Sequence, residues 1–98
     1  MSRSLIERRL TDVTDRLRRA RQELAQLDEQ QAALSDAADD ARIRALVSET
    51  PLADREHHEA QRHADAMARG RAGLLATIVE LERAQDELLD RLVVPGSR

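Results

Sequence analysis

The chain contains no cysteine, phenylalanine, tyrosine, tryptophan or lysine. Each absence closes off a class of structure. Without cysteine there are no disulfides and no thiolate-ligated metal sites, and the redox compartment leaves no mark. Without aromatics a rounded core would be thinly filled, and no ring can stack on a nucleic-acid base. Glycine occurs three times and proline twice in 98 residues, too few to punctuate many short elements. No apolar run approaches the ~18 residues of a membrane span. Met1 to Leu10 carry arginine and glutamate where a signal peptide would have its apolar core. A cytoplasmic location is the expectation. The missing lysine, with abundant alanine and aspartate, points to a GC-rich genome rather than to a function.

What is present is a repeat. Ile6, Leu10, Val13, Leu17, Ala20, Leu24, Leu27, Gln31, Leu34, Ala38, Ala41 and Ala45 recur at alternating spacings of three and four. So do Ala53, His57, Ala60, Ala64, Met67, Arg71, Leu74, Ile78, Leu81, Gln85, Leu88 and Leu92. The second series mirrors the first when the chain is folded at Glu49, placing Leu10 level with Leu88, Leu17 with Leu81 and Leu24 with Leu74. A 3.5-residue repeat is the seam of a coiled coil. Two seams in mirror register predict an all-α fold, a long antiparallel two-helix coiled-coil hairpin. Residues 1–98 then form a single domain.

Local signals set the expected boundaries. Ser4 and Glu7 have the spacing of a capping box, so the first helix is expected over 5–47. About 43 residues at 1.5 Å each make it ~65 Å long. Thr50 suits an N-cap and Pro51 the first helical position. The turn is expected at 48–50 and the second helix over 51–93, stopped by Val94-Pro95-Gly96. Gly70 and Gly73 weaken the helix interior by ~1 kcal/mol each, but the three-four spacing runs through them without a phase change.

Charge is unevenly placed. Residues 1–21 hold seven arginines against Glu7, Asp12 and Asp15, a balance of +4. Residues 22–61 hold three arginines against ten acids, a balance of −7, and the remainder is neutral. The Arg-rich start could be read as a nucleic-acid patch. However, Arg8–Asp12, Asp12–Arg16 and Asp15–Arg19 are i,i+4 pairs of an ordinary exposed helix. The net charge is −3, and nucleic acid is not the expected partner.

Other constellations point weakly to chemistry. His57, His58 and His63 lie within seven residues. Glu59 and His63 share a helix face, and His58 falls level with Asp40 in the hairpin register. His58, Glu59, His63 and Asp40 are therefore the candidate metal ligands. They lack the Glu-x-x-His repeat of a di-iron bundle, so no metal, cofactor or catalytic residue is expected. A two-helix hairpin has no concavity to assemble an active site, and the chain is not expected to be an enzyme.

Two surfaces are candidates for binding. Ala68, Ala72, Leu75, Val79, Leu89 and Val93 form a second stripe on the second helix, interrupted by Glu82 and Asp86. Pairing of two copies through this stripe would give a homodimeric four-helix bundle. At the turn, Ile43, Leu46, Val47 and Leu52 lie off the seam, with Asp36, Asp39 and Asp40 nearby. Rimmed apolar groups often mark interaction sites. They can also close over the end of a hairpin.

Asp36-Ala37-Ala38-Asp39-Asp40-Ala41 fits a D-x-x-D-x-A pattern. It resembles the motif that DksA-type factors carry at the tip of a coiled-coil hairpin. The resemblance implies a regulator entering the secondary channel of bacterial RNA polymerase. Here the motif sits about ten residues before the turn, and no zinc domain follows it. The expected function is a non-enzymatic protein–protein interaction module or adaptor. A polymerase-associated regulator acting through an acidic tip is the first alternative, and nucleic-acid binding through the Arg-rich end the second.

Overall fold

The computed structural model describes residues 2–93. They form two helices, α1 Arg3–Ser48 and α2 Pro51–Val93, joined through Glu49 and Thr50 as a helical hairpin. Among the described residues there is no strand. No described helix is long and apolar enough to cross a membrane.

Burial follows the three-four repeat. Every seam position of both helices is buried or half-buried, including Gln31, His57, Arg71 and Gln85. Outside the seam, among the described residues, only Leu5, Asp15, Leu75 and Ala84 are shielded to that degree. α1 is polar on average, so its helicity rests on this narrow stripe meeting a partner helix rather than on bulk hydrophobicity.

The helix ends differ in detail from the sequence expectation. α1 begins at Arg3, because Ser2 rather than Ser4 is the N-cap. The Ser2 Oγ accepts from the Leu5 amide at 3.2 Å, and the Ser2 carbonyl accepts from the Ile6 amide at 3.0 Å. Glu7 does not reach back to a capping box; it takes the Arg3 guanidinium at 3.1 Å. Ser48 still belongs to α1, so the turn is shorter than 48–50. Glu49 adopts the left-handed conformation, φ 51°, and its amide donates to the Ala45 carbonyl at 3.1 Å. This is the bond of an αL C-cap, usually made at glycine. Thr50 is the N-cap of α2, its Oγ1 accepting from the Ala53 amide at 3.2 Å, and Pro51 opens the helix. The stop at Val94-Pro95-Gly96 lies outside the described residues.

α2 runs unbroken through Gly70 and Gly73. A Cβ built at either glycine meets nothing within 4 Å. Neither glycine is therefore required by close packing within the chain.

Packing divides the chain into two units. In the unit of Met1–Glu23 with Leu74–Arg98, the buried side chains are Ile6, Leu17, Ala20, Ile78 and Leu88, with Leu17 only 2% exposed. Gln85 Nε2 donates to Thr14 Oγ1 at 3.1 Å, and Arg21 meets Glu82 at 3.2 Å. In the unit of Leu24–Gly73, the fully buried residues are all alanine: Ala38, Ala41 and Ala53. Leu24, Leu27, Leu34 and Met67 are half-buried there. Arg71 occupies a seam position but sends its guanidinium out to Asp28. The Thr14–Gln85 and Asp28–Arg71 pairs each sit within one residue of the mirror register. A buried leucine contributes ~1.5–3 kcal/mol, and an alanine far less. The second unit therefore has less hydrophobic stabilisation per layer.

Candidate functional site

The turn end is built by the seam itself. Ala41 and Ala45 face inward on the last turns of α1. Ile43 stands two residues from each, about 200° round the helix, and so points directly away from α2. Leu46 and Val47 follow at three and four residues and share its side. None of them closes the end of the hairpin. Ile43 is 53%, Leu46 67%, Val47 79% and Leu52 59% exposed. The reason is the shortness of the turn. With only Glu49 and Thr50 between the helices, the last turn of α1 and the first of α2 leave no loop to fold these side chains back.

Asp36, Asp39 and Asp40 are exposed on the same outward side of α1, while Ala38 and Ala41 of the D-x-x-D-x-A motif are buried in the seam. The motif's two kinds of residue thus have separate roles: alanines that let the helices approach and carboxylates that face solvent. Glu59 lies with Leu34, Ala37, Glu56, Ala60 and His63 around a shallow groove of about 250 Å3, which neither Asp39 nor Asp40 lines.

The histidine region is half seam and half surface. His57 is half-buried, its ring stacks on His58 at 5.6 Å, and its Nδ1 is buried without a hydrogen-bond partner. His58, Glu59, His63 and Asp40 are all exposed. Among the described residues no group of three or more His, Asp or Glu side chains is gathered closely enough to hold a metal ion. His63 also borders a second open groove with Leu34, Arg62, Ala66, Met67 and Gly70.

On α2, Val79, Leu89 and Val93 are exposed at 44%, 42% and 61%, with Leu75 half-buried beside them. Ala68 and Ala72, in the other unit, are exposed as well. Glu82, which interrupts the stripe, is drawn toward α1 by Arg21.

Four of the seven arginines of the Arg-rich start make ion pairs. Arg3 pairs with Glu7, Arg16 with Asp12 at 3.2 Å, Arg18 with Asp15 and Arg21 with Glu82. The Arg8–Asp12 and Asp15–Arg19 pairs expected from i,i+4 spacing are not formed. Each acid has three arginines within four residues, and Asp12 takes Arg16 while Asp15 takes Arg18.

The sequence reading missed two features. The Asp28–Arg71 pair joins a residue flanking one seam to a residue within the other, and only the mirror register could have pointed to it. The alignment of the outward carboxylates with Ile43, Leu46 and Val47 was available from a 100° rotation per residue, but the acids and the apolar residues had been read as a rim around a centre. Comparison of the chain with protein-family models, with curated proteins and with solved structures finds no match.

Proposed function

We propose that this chain is a non-enzymatic interaction module: a coiled-coil hairpin that engages another protein at its turn end. One observation carries the reading. In the unit of Leu24–Gly73 the most buried residues are alanines, the seam's Leu24, Leu27, Leu34 and Met67 are half-buried, and Ile43, Leu46, Val47 and Leu52 are more than half exposed. Four large apolar side chains more than half exposed amount to a few hundred Å2, roughly the size of patch that marks an interaction site. They contribute little to holding the hairpin together, and a partner that covers them would account for their exposure.

The test is site-specific photo-crosslinking in the native cell from position 47, which is 79% exposed and lies outside the variant used as control. A discrete protein adduct that disappears in Leu46→Ser with Leu52→Ser supports the reading. Labelling that is diffuse, or unchanged in the variant, overturns it.

Self-association belongs to the same proposal. The exposed Val79, Leu89 and Val93 supply a face through which a second copy would complete a four-helix bundle. Retention of Asp36, Asp39 and Asp40 as solvent-facing carboxylates favours the polymerase-associated regulator as the second reading. Co-purification with RNA polymerase that depends on these three aspartates is its test. Nucleic-acid binding at the Arg-rich end is disfavoured by the ion pairs that Arg3, Arg16, Arg18 and Arg21 already make.

A further inference from the structure

The outward side of α1 carries more than the apolar residues of the turn. Taking Ile43 as the reference direction, Glu29, Asp36, Asp39, Asp40, Leu46 and Val47 all project within about 60° of it. All are exposed. The face is a line of four carboxylates that ends in three large apolar side chains. It lies wholly within the unit of Leu24–Gly73.

What sets these carboxylates apart is not that they lack an arginine, since most acids among the described residues hold none, but that no arginine shares their face. Glu7, Asp12, Asp15, Asp28 and Glu82 each hold an arginine. Among the described residues, Glu29, Asp36, Asp39 and Asp40 hold none. Glu29 and Asp36 have no arginine within a helical turn. Arg42 and Arg44 lie about 100° to either side and are not drawn to Asp39 or Asp40. Asp36 is instead followed by like charges at i+3 and i+4, an arrangement that destabilises an isolated helix. A cationic surface laid along this face would relieve that repulsion, while a nucleic acid would increase it.

Resting on the docking reading above, we infer that the partner presents a basic amphipathic helix to the outer face of α1. Its apolar side chains cover Ile43, Leu46 and Val47, and its lysines or arginines lie against Glu29, Asp36, Asp39 and Asp40. The geometry is helix against helix, because the apolar anchors fall at i, i+3 and i+4 and the acids continue the same line. Electrostatic complementarity along the acids sets direction and register, and burial of the apolar end slows release.

The test uses fluorescence anisotropy with three synthetic helical peptides of about five turns (~18 residues). One is amphipathic with leucine and lysine faces, one has glutamate in place of lysine, and one has glutamine in place of leucine. The leucine–lysine peptide should bind. Asp36→Asn, Asp39→Asn and Asp40→Asn together should weaken it about tenfold or more and flatten its salt dependence. Ile43→Ser, Leu46→Ser and Val47→Ser together should weaken it comparably with the salt dependence retained. Circular dichroism checks that both variants stay helical. Equal binding of the glutamine–lysine peptide, equal binding of the leucine–glutamate peptide, or indifference to either triple variant overturns the inference. Self-association lost in the Ile43, Leu46 and Val47 variant also overturns it, by assigning the face to a second copy. Peptide binding that fails while the position-47 adduct persists refutes the basic-helix partner alone. Loss of the adduct's dependence on the turn refutes the docking reading itself.

Discussion

Replacing Glu49 with glycine should stabilise the hairpin. Glu49 sits at φ 51° and donates its amide to Ala45. A side chain in the left-handed region costs roughly 1–2 kcal/mol from the approach of Cβ to the following carbonyl. Glycine escapes that cost but loses roughly 0.5–1 kcal/mol more backbone entropy on folding. The difference leaves about 0.5–1 kcal/mol in favour of glycine. The charge needs separating from the backbone effect, because a carboxylate at position 49 opposes the dipole of α1 at its C-terminus and favours that of α2 at its N-terminus, each by ~0.3–1 kcal/mol. Glu49→Ala removes that charge but keeps the strained φ. The comparison of glycine with alanine at position 49 therefore isolates the backbone effect. Thermal unfolding followed by circular dichroism should place Glu49→Gly above Glu49→Ala by roughly 2–6 °C for a domain of this size. Glu49→Ala should lie within a few degrees of the parent. A glycine variant that melts at or below the alanine variant would refute the assignment of backbone strain to the turn.

Other perturbations test other parts of the fold. Gly70→Ala and Gly73→Ala should each raise stability by ~1 kcal/mol, because a Cβ at either position meets open space; a loss of stability in denaturant titration would mean that something packs against them. Leu17→Ala should cost about 2–5 kcal/mol, since Leu17 is 2% exposed, whereas Leu46→Ser with Leu52→Ser should change the melting temperature little. Val79→Glu with Leu89→Glu, two exposed positions, should halve the mass seen by sedimentation equilibrium with helicity intact; an unchanged mass would place any self-association elsewhere. In hydrogen exchange, amides of residues 24–73 should open at lower free energy than those of 1–23 and 74–93, and uniform protection would refute the weaker alanine layers.

The seam was legible because it is a pattern of position rather than of residue type. Gln31, His57, Arg71 and Gln85 interrupt the apolar series, yet each is shielded where the three-four spacing places it. The ends were less legible because two serines, Ser2 and Ser4, compete to cap α1. Ser2 gains an extra half-turn of helix and leaves Glu7 free to meet Arg3. The αL residue was hidden because the usual marker is glycine or asparagine, and here glutamate occupies the position. The ion pairs near the N-terminus were half legible, since each acid has more than one arginine in reach and spacing alone does not choose between them. The functional face was legible only in fragments. The acids and the apolar residues were each visible in the sequence, but their common direction depends on where the seam faces.

That common direction bears on why the turn end is built as it is. A hairpin shaped for stability alone would put its leucines between the helices and its alanines outside. The unit of Met1–Glu23 with Leu74–Arg98 follows this rule only in part, with Leu17, Ile78 and Leu88 inside, Ala20 buried beside them and Val79, Leu89 and Val93 exposed. The unit of Leu24–Gly73 breaks it at Ala41 and Ile43, which are two residues apart and point opposite ways. Each large side chain left outside forgoes ~1.5–3 kcal/mol of burial, and the uncompensated aspartates add repulsion on the same side. Small seam residues offset part of this by letting the helix backbones come close, and the αL cap with the Thr50 N-cap fixes the turn without any apolar plug. The larger share of hydrophobic stabilisation thus comes from the other unit, where Leu17, Ile78 and Leu88 are buried. The outer face of α1 near the turn is free to carry a composition that folding does not require and that binding would use.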